Sequence, residues 1–348
     1  MKSVLVCTAQ APFITGGAEI LVRELVDRLR DRGFRVDTVS IPFHGHPPSE
    51  LMRQALAWRL LELRETTGRP VDLVIPTKFP SYLVRHPRKV AWLFHQYREA
   101  YDLFGSEMGS FSEEPEDLRV REAIHAMDAS ALGECRSIFT ISRNVADRLG
   151  RFNRLSGTPL YPPPREVQSF RTDGYGDYLL YAGRLERIKR IDLALRSLAR
   201  AGGAARLRIA GTGSLEPELR RLAAELGIAD RVAFLGYVPT EELVRLYAAC
   251  RATWYTPYDE DYGYVTVESF LSRKPVITST DAGGPLEFVE DGVSGIVAPP
   301  DPAALGSAID RLFALPESRL QEMGAEGRRR VAHISWDTVL DQLTESIR

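Results

Sequence analysis

Residues 178–190 read YLLYAGRLERIKR, and this stretch decides the fold class. Five apolar or aromatic residues in succession predict a buried β-strand, and Gly183 predicts the turn that ends it. The basic segment that follows leads into an amphipathic run at 191–201, which predicts a helix. A short apolar strand, a glycine turn and a helix make up most of a βαβ unit, so we expect an α/β domain with a parallel sheet.

The same pattern repeats along most of the 348-residue chain. A segment rich in proline and glycine at 157–178 interrupts it and predicts a linker between two α/β domains. Ligands of such domains bind beyond the carboxyl ends of the strands, and we expect them in the cleft between the domains. Strands are predicted at 3–8, 35–41, 73–76, 89–94, 137–141, 178–182, 207–210, 232–235, 253–255, 276–278 and 295–298, and helices at 18–32, 50–65, 116–134, 143–151, 191–201, 216–226, 240–249, 265–272, 302–315, 317–331 and 336–347.

Composition and charge exclude several classes of protein. Hydrophobic residues make up 44% and charged residues 26% of the chain, which excludes a disordered or fibrous protein. The net charge of −2 provides no field that attracts nucleic acid or anionic lipid. Three cysteines without a CxxC spacing predict neither disulfides nor zinc and fit a reduced, cytoplasmic protein. The sequence has no apolar run long enough for a membrane span, and we interpret its signal-like start as the first strand.

Three glycine-rich turns after predicted strands could present backbone N–H groups to an anion. The turn TGGAE at 15–19 opens a helix, and a tight turn without a ligand explains it equally well. The turn GTGSLE at 211–216 resembles a dinucleotide fingerprint, but Glu216 occupies the third glycine position and Asp230 precedes the next strand instead of ending it. We therefore favour a nucleotide-facing backbone over NAD binding. The third turn, DAGGPLE at 281–287, is a second anion site or a plain turn.

A basic loop and a pair of glutamates carry more specific chemistry. Residues 184–190 include four basic side chains above a sheet, which suits a diphosphate, although a solvated helix start is the common alternative. Lys189 favours the diphosphate because the other basic residues of this loop, and most in the chain, are arginines. Glu260 and Glu268 flank a glycine turn, where one carboxylate can bind sugar hydroxyls and the other a ribose. The triplet DED at 259–261 also matches a metal-binding pattern, but no further acidic ligand is evident, so we predict neither a metal nor another cofactor.

Together these motifs resemble glycosyltransferase family 4, a family of retaining enzymes with the GT-B fold. The E-x7-E spacing of Glu260 and Glu268 is the most specific of them. The resemblance covers nearly the whole chain and is closest from 178 to 301. Its motifs, in the order and spacing of the family, are GGAE at 16–19, GRL at 183–185 with Lys189, GTG at 211–213, LGYVP at 235–239, SFLSRKPVI at 269–277 and GGPLE at 283–287.

The resemblance implies two Rossmann-like parallel-sheet domains that face a central cleft. Residues 1–165 would form an acceptor-side domain, joined by residues 335–348 because the last helix often returns to the first domain in this family. Residues 166–334 would bind the donor. The implied reaction moves a sugar from a UDP-sugar, or next a GDP-sugar, to a hydroxyl acceptor with retention of configuration and without a metal. Surface polysaccharide or glycolipid biosynthesis is the expected context.

The resemblance also implies roles for single residues. Arg184 and Lys189 would hold the diphosphate and stabilise it as the leaving group. Glu260, together with the backbone amides around Tyr262–Val265, would hold the sugar. His95 would face the sugar, although Gln96 stands where aspartate is common. The implied donor-binding positions are Gly16, Gly17, Gly211, Gly213, Tyr237, Val238, Tyr262, Gly263, Tyr264, Val265 and Glu268; Glu268 would bind the ribose, and the amides of the first two would close on the diphosphate.

Two other functions stay open at this point: a nucleotide-sugar epimerase or hydrolase on a similar scaffold, and a nucleotide-binding module without catalysis. The paired glutamates argue against the epimerase, and the basic residues that would hold a diphosphate argue against the module. The acceptor is a carbohydrate, a lipid-linked sugar or a small molecule, and we expect no nucleic acid partner.

The helix predicted at 50–65 raises the question of membrane contact. Met52, Leu56, Leu60 and Leu63 lie on one apolar face at helical spacing, and Trp58 and Leu61 point elsewhere. Packing against the protein core is the simpler interpretation. Peripheral contact with the inner face of a membrane, or with a lipid acceptor, is the alternative.

Overall fold

A computed structural model of the chain describes residues 1–13, 16–203 and 205–347, so Thr15 and Arg348 of the predicted motifs lie outside the described residues. The described chain divides into two compact units. One unit is Pro164–His333, and the other is Met1–Pro163 together with the segment that begins at Ile334. The domain border predicted after residue 165 lies two residues beyond the observed one.

The first unit contains two three-stranded parallel sheets, a short antiparallel pair of strands, and helices. Its strands are β1 (Ser3–Gln10), β2 (Arg35–Pro42), β3 (Glu65–Thr66), β4 (Arg69–Pro70), β5 (Leu73–Pro76), β6 (Val90–Leu93), β7 (Ser137–Thr140) and β8 (Thr158–Pro159), and its first helices are α1 (Gly17–Asp31), α2 (Pro48–Leu60), α3 (Pro115–Gly133) and α4 (Arg143–Asn153). Strands β2, β1 and β5 form one parallel sheet and β6, β7 and β8 another, and single bridges at Val74–Lys89 and Lys78–His95 join β5 to the segment around β6. All residues of β5 and β6 are buried, as expected for strands in the middle of a parallel sheet.

The second unit has a single six-stranded parallel sheet. Its strands are β9 (Tyr178–Ala182), β10 (Arg206–Ala210), β11 (Val232–Gly236), β12 (Ala252–Trp254), β13 (Val276–Ser279) and β14 (Gly295–Ala298), and its helices are α5 (Ile191–Arg200), α6 (Glu216–Glu225), α7 (Thr240–Ala249), α8 (Tyr264–Leu271), α9 (Pro302–Ala314) and α10 (Glu317–Val331). The strand order is β11-β10-β9-β12-β13-β14. This is the Rossmann order, in which the direction of winding reverses between β9 and β12.

The last helix, α11 (Trp336–Thr344), packs on elements of the first unit. Ser335 caps its N-terminus by accepting a hydrogen bond from the Thr338 N–H. The indole of Trp336 meets that of Trp92 edge to face, with ring centroids 6.1 Å apart. Arg32, just after α1, forms ion pairs with Asp337 and Asp341.

Helix α2 differs most from its predicted form. It ends at Leu60 instead of continuing to residue 65, and β3 and β4 follow as a small hairpin. Its buried face consists of Leu51, Ala55 and Trp58, whereas Leu56 and Leu60 are exposed. An apolar stripe at helical spacing therefore does not show which face the fold covers.

Smaller differences occur elsewhere. The predicted linker contains the short strand β8, and the glycine turn predicted at 281–287 contains a 3-10 helix at Gly284–Glu287. In the part of the chain that the structure describes, no helix combines the length and the apolar character that crossing a bilayer requires.

Candidate functional site

The carboxyl ends of β9 and β12 carry the two loops with the most specific predicted residues. The basic loop (183–190) follows β9, and the glutamate loop (255–263) follows β12. In an open α/β sheet, ligands bind outside the carboxyl ends of the strands where the strand order reverses. The fold of the second unit therefore places both loops at the position where a Rossmann sheet binds its ligand.

Lys189 and Glu260 meet at this position. The Lys189 Nζ forms an ion pair with the Glu260 Oε2, although the two residues are 71 positions apart in the chain. Their side chains are only 14% and 18% exposed, and the Nζ lies 5.9 Å from the centre of the Tyr255 ring. Burial, and after it the charge of Glu260, raise the pKa of the Tyr181 and Tyr255 hydroxyls well above the usual value, so both stay protonated.

Arg184 lies at the exposed edge of the basic loop. Its Nη1 is 2.6 Å from the Oε1 of Glu186, and the two side chains are 51% and 38% exposed. The Tyr181 hydroxyl donates a hydrogen bond of 2.9 Å to the Arg184 carbonyl oxygen, which holds the backbone. An ion pair this exposed contributes at most about 1 kcal/mol, so a ligand phosphate can compete for the guanidinium.

Glu268 lies on α8, and the residue just before this helix must be glycine. Gly263 has φ +86, and a Cβ there would lie 2.8 Å from the Tyr255 ring. The Tyr247 hydroxyl donates a hydrogen bond of 2.8 Å to the Glu268 Oε2. Burial raises the pKa of Glu268, and the Tyr247 hydrogen bond partly opposes that rise. The carboxyl group is thus held in one orientation and can accept hydroxyl hydrogen bonds.

Gly211 and Gly213 are required by the packing of one loop on another. A Cβ on Gly211 would lie 1.8 Å from the Gly183 carbonyl oxygen, and one on Gly213 would lie 2.4 Å from the Leu185 carbonyl oxygen. The Leu185 N–H also donates to the Thr212 carbonyl at 3.0 Å. The close approach of the two backbones explains both glycines without a ligand, so their presence alone does not indicate one.

The other predicted donor-binding positions of this unit differ in exposure. Tyr237 is exposed and Val238 is half-buried just after β11. The Tyr262 and Val265 side chains are buried, and the Tyr262 ring packs edge to face on Tyr264 with centroids 5.2 Å apart. The backbone atoms of Tyr262 and Val265 are therefore the groups that could reach a ligand, as the resemblance implies.

The first unit places two groups around the Glu19 carboxylate, beyond the carboxyl ends of β1 and β5. The Gly16 N–H donates a hydrogen bond of 2.8 Å to the Glu19 Oε2, and the Lys78 Nζ lies 2.7 Å from the Oε1. Burial raises the pKa of Glu19, but Lys78 and the Gly16 amide outweigh it and lower the pKa below the usual value. Gly17 begins α1 and is exposed. Lys78 was not predicted as a site residue from the sequence, although it is one of few lysines and follows a buried strand.

His95 follows β6 in the same unit and is half-buried. Its Nδ1 lies 2.7 Å from the Gln96 carbonyl oxygen, and because a carbonyl only accepts, this contact requires a proton on Nδ1. The Gln96 side chain is fully buried and donates to the Asn153 amide oxygen. Gln96 therefore contributes to the interior of the unit and anchors the backbone next to His95.

Two further features bear on ligands. Among residues 1–13, 16–203 and 205–347, no group of three His, Cys, Asp or Glu side chains is arranged to hold a metal ion. Helices α2 and α3 border an apolar pocket of about 580 Å³, whose lining includes Met52, Leu56, Leu83 and Met127. This volume is in the range of pockets that bind small ligands.

A comparison with known sequences finds a family model that matches the second unit. Residues 164–330 match the model of a family described as Glycosyl transferases group 1. A D-inositol 3-phosphate glycosyltransferase from Thermobifida fusca is 33% identical over 204 residues, which cover 54% of this chain and 46% of that protein. One from Acidothermus cellulolyticus is 35% identical over 203 residues, or 53% and 44% of the two chains. The matches thus span less than half of the length of these relatives.

Comparison with solved structures covers both units. A sucrose-phosphate synthase from Thermosynechococcus elongatus has a TM-score of 0.79 and 21% identity, with 99% of this chain and 98% of that chain covered. HepE of Anabaena, solved in complex with UDP-glucose, has a TM-score of 0.73 and 18% identity, with 100% and 99% covered. Identities this low show the fold alone, and they confirm the predicted α/β GT-B fold.

Proposed function

We propose that the chain transfers a hexosyl group from a nucleotide-diphosphate sugar to a hydroxyl acceptor, because residues 164–330 match the model of the family Glycosyl transferases group 1. The proposal includes a UDP-sugar as the first choice of donor and a GDP-sugar as the second, retention of configuration, and no need for a metal. The observation that carries it is the meeting of Lys189 and Glu260 where the strand order of the second unit's sheet reverses, in the loop that also carries Arg184.

In this proposal the donor replaces contacts that the protein makes with itself. The diphosphate takes Lys189 from Glu260 and Arg184 from Glu186. The two cations then neutralise the charge that develops on the departing diphosphate, and such groups act more strongly in a site that excludes water. Glu260 then binds sugar hydroxyls in place of Lys189, and Glu268 binds the ribose while Tyr247 fixes its carboxylate.

The first unit contributes the remaining proposed residues. We assign His95 to the transferred sugar, and the amides of Gly16 and Gly17 to the diphosphate. The Gly16 amide now donates to Glu19, so it becomes available only when this contact opens. Carboxylates of the protein thus occupy Arg184, Lys189 and the Gly16 amide alike, which makes the binding of the donor an exchange of partners.

The test has two stages. Thermal unfolding is measured with UDP, GDP, ADP and dTDP, and we expect the largest stabilisation with UDP because a ligand that binds only the folded state raises the melting temperature. Sugar transfer from the matching donor is then followed by mass spectrometry, with and without EDTA. Acceptor-dependent transfer that survives EDTA supports the proposal. Epimerised or hydrolysed donor without transfer supports the epimerase or hydrolase, and nucleotide binding without turnover supports the binding module.

For the acceptor, we propose a lipid-linked molecule at the inner face of a membrane, in polysaccharide or glycolipid biosynthesis. The supporting observations are the apolar pocket of about 580 Å³, to whose lining Leu56 contributes, and the exposure of two leucines of α2, Leu56 at 56% and Leu60 at 74%. An apolar pocket and two exposed leucines on a helix that borders it suit one hydrocarbon chain. Sedimentation with vesicles should fall for the double variant Leu56→Ser with Leu60→Ser and not for Leu235→Ser on β11. Equal sedimentation of both variants would leave a water-soluble carbohydrate or small molecule as the acceptor.

A further inference from the structure

Arg190 is the last residue of the basic loop, and its backbone has a conformation that residues other than glycine rarely adopt. Its φ of 50° and ψ of 49° are left-handed, and helix α5 begins at the next residue. Glycine adopts this conformation without strain, whereas residues with a Cβ do not. An arginine at this position therefore points to a contribution from its side chain that outweighs the strain.

The guanidinium of Arg190 joins two other loops. Its Nε donates to the Thr256 carbonyl at 3.0 Å, and its Nη2 to the Pro257 carbonyl at 2.7 Å. Its Nη1 and Nη2 also bind both carboxylate oxygens of Asp281, at 2.8 and 2.7 Å, and the Nη2 reaches the Ser279 hydroxyl at 3.0 Å. The side chain is only 15% exposed. All three nitrogens thus donate to the protein, and the charge is paired with Asp281.

These contacts hold the two loops that carry the proposed donor residues Lys189 and Glu260. Lys189 precedes Arg190, and Glu260 lies in the loop that Arg190 holds by two carbonyls. The Glu260 N–H in turn donates to the Ala282 carbonyl at 2.8 Å, so the loop after β13 supports the glutamate loop from the other side. The guanidinium therefore lies where the loops after β9, β12 and β13 meet.

We propose that Arg190 is a positioning residue of the donor site, which fixes the loop of Lys189 relative to the loop of Glu260. It does not bind the diphosphate itself, because its nitrogens already bind Asp281, Ser279 and two backbone carbonyls. When a donor replaces the Lys189–Glu260 ion pair, the Arg190 contacts keep both side chains in place. This inference rests on the proposed function.

The variants separate strain from positioning. Arg190→Gly accepts the left-handed backbone but loses every side-chain contact, and Asp281→Asn removes the charged partner while keeping the side chain's size. Arg154→Gly is the matched control, because Arg154 also has a left-handed backbone (φ 57) at an exposed helix end in the other unit. We expect kcat for sugar transfer to fall by roughly 10- to 100-fold in Arg190→Gly, since small displacements of catalytic groups cost this much. UDP affinity should change far less, and Arg154→Gly should leave both unchanged.

Hydrogen–deuterium exchange provides a readout that does not depend on activity. Exchange at 256–263 and 280–284 should be faster in Arg190→Gly and in Asp281→Asn than in the parent and in Arg154→Gly, at a temperature where all are folded. Unchanged exchange in these segments, or kcat within about twofold of the parent, overturns the inference. If the parent itself neither binds UDP nor transfers sugar, the proposed function fails, whereas an active parent with an unaffected Arg190→Gly variant overturns only the positioning role.

Discussion

Removing the carboxylate that holds Arg184 should strengthen donor binding. In the structure, the Arg184 Nη1 lies 2.6 Å from the Glu186 Oε1, and a diphosphate that uses this guanidinium must first break the pair. Exposed ion pairs of this kind contribute about 0.2–1 kcal/mol. Since 1.4 kcal/mol corresponds to a factor of ten, Glu186→Gln should lower the Kd for the nucleoside diphosphate by about 1.5- to 5-fold.

The assay is isothermal titration calorimetry with UDP, or with the diphosphate that stabilises the parent most. Glu216→Gln is the matched control, because Glu216 forms a similarly exposed ion pair with Arg220 on α6, at 2.8 Å. Because salt screens exposed charges, the gain in diphosphate affinity of Glu186→Gln should be largest at low ionic strength and should shrink as salt is added. Equal affinity in the parent and in Glu186→Gln, or a weaker one in the variant, would refute the reasoning that Arg184 must exchange Glu186 for the donor.

Three further predictions concern stability and binding. Gly211→Ala should lower the free energy of unfolding by about 3 kcal/mol, because its Cβ would lie 1.8 Å from a carbonyl oxygen. Gly227 has a φ of +68 and open space around it, so Gly227→Ala should lower the free energy of unfolding by only about 1 kcal/mol. Urea denaturation of both variants tests this difference. Burial raises the pKa of Asp128 to about 7, so between pH 4 and 7 the folded state holds a proton that the unfolded state has lost. The free energy of unfolding should therefore fall as the pH rises from 4 to 7. In Asp128→Asn the free energy of unfolding should depend less on pH over this range. Tyr247→Phe should weaken UDP binding by about tenfold, most strongly at low pH. The reason is that Glu268 loses the hydrogen bond that opposes the rise of its pKa. Equal UDP affinities of the parent and the variant, measured by calorimetry at several pH values, would contradict this prediction.

The fold was predictable because strand and helix patterns are local. Apolar runs bounded by glycine and proline located β5 and β9 to the residue, and Thr240–Ala249 was predicted with its observed bounds. Helix α2 was harder because two of its faces are apolar. Hydrophobic periodicity identifies an apolar face of a helix. Which face is buried depends on the elements that pack against the helix. The exposed stripe at Leu56 and Leu60 could not be recognised before the fold was known.

The candidate site was predictable where topology brings distant residues to one edge. Lys189 and Glu260 both follow strands, and parallel strands end on the same side of a sheet, so their meeting follows from the strand order. The roles of Arg190 and Gly211 were not predictable. Arg190 binds residues 66 to 91 positions away, and Gly211 is required by a backbone that only the fold brings near.

The central claim is that the basic loop after β9 binds the diphosphate of a nucleotide donor. The most direct measurement compares the affinity of the protein for UDP with its affinity for uridine, in the parent and in Lys189→Met. The account predicts that the parent prefers UDP by at least about tenfold, as expected for charge-assisted contacts, and that Lys189→Met loses most of this preference while its affinity for uridine is unchanged. An undiminished preference for UDP in Lys189→Met would contradict the account.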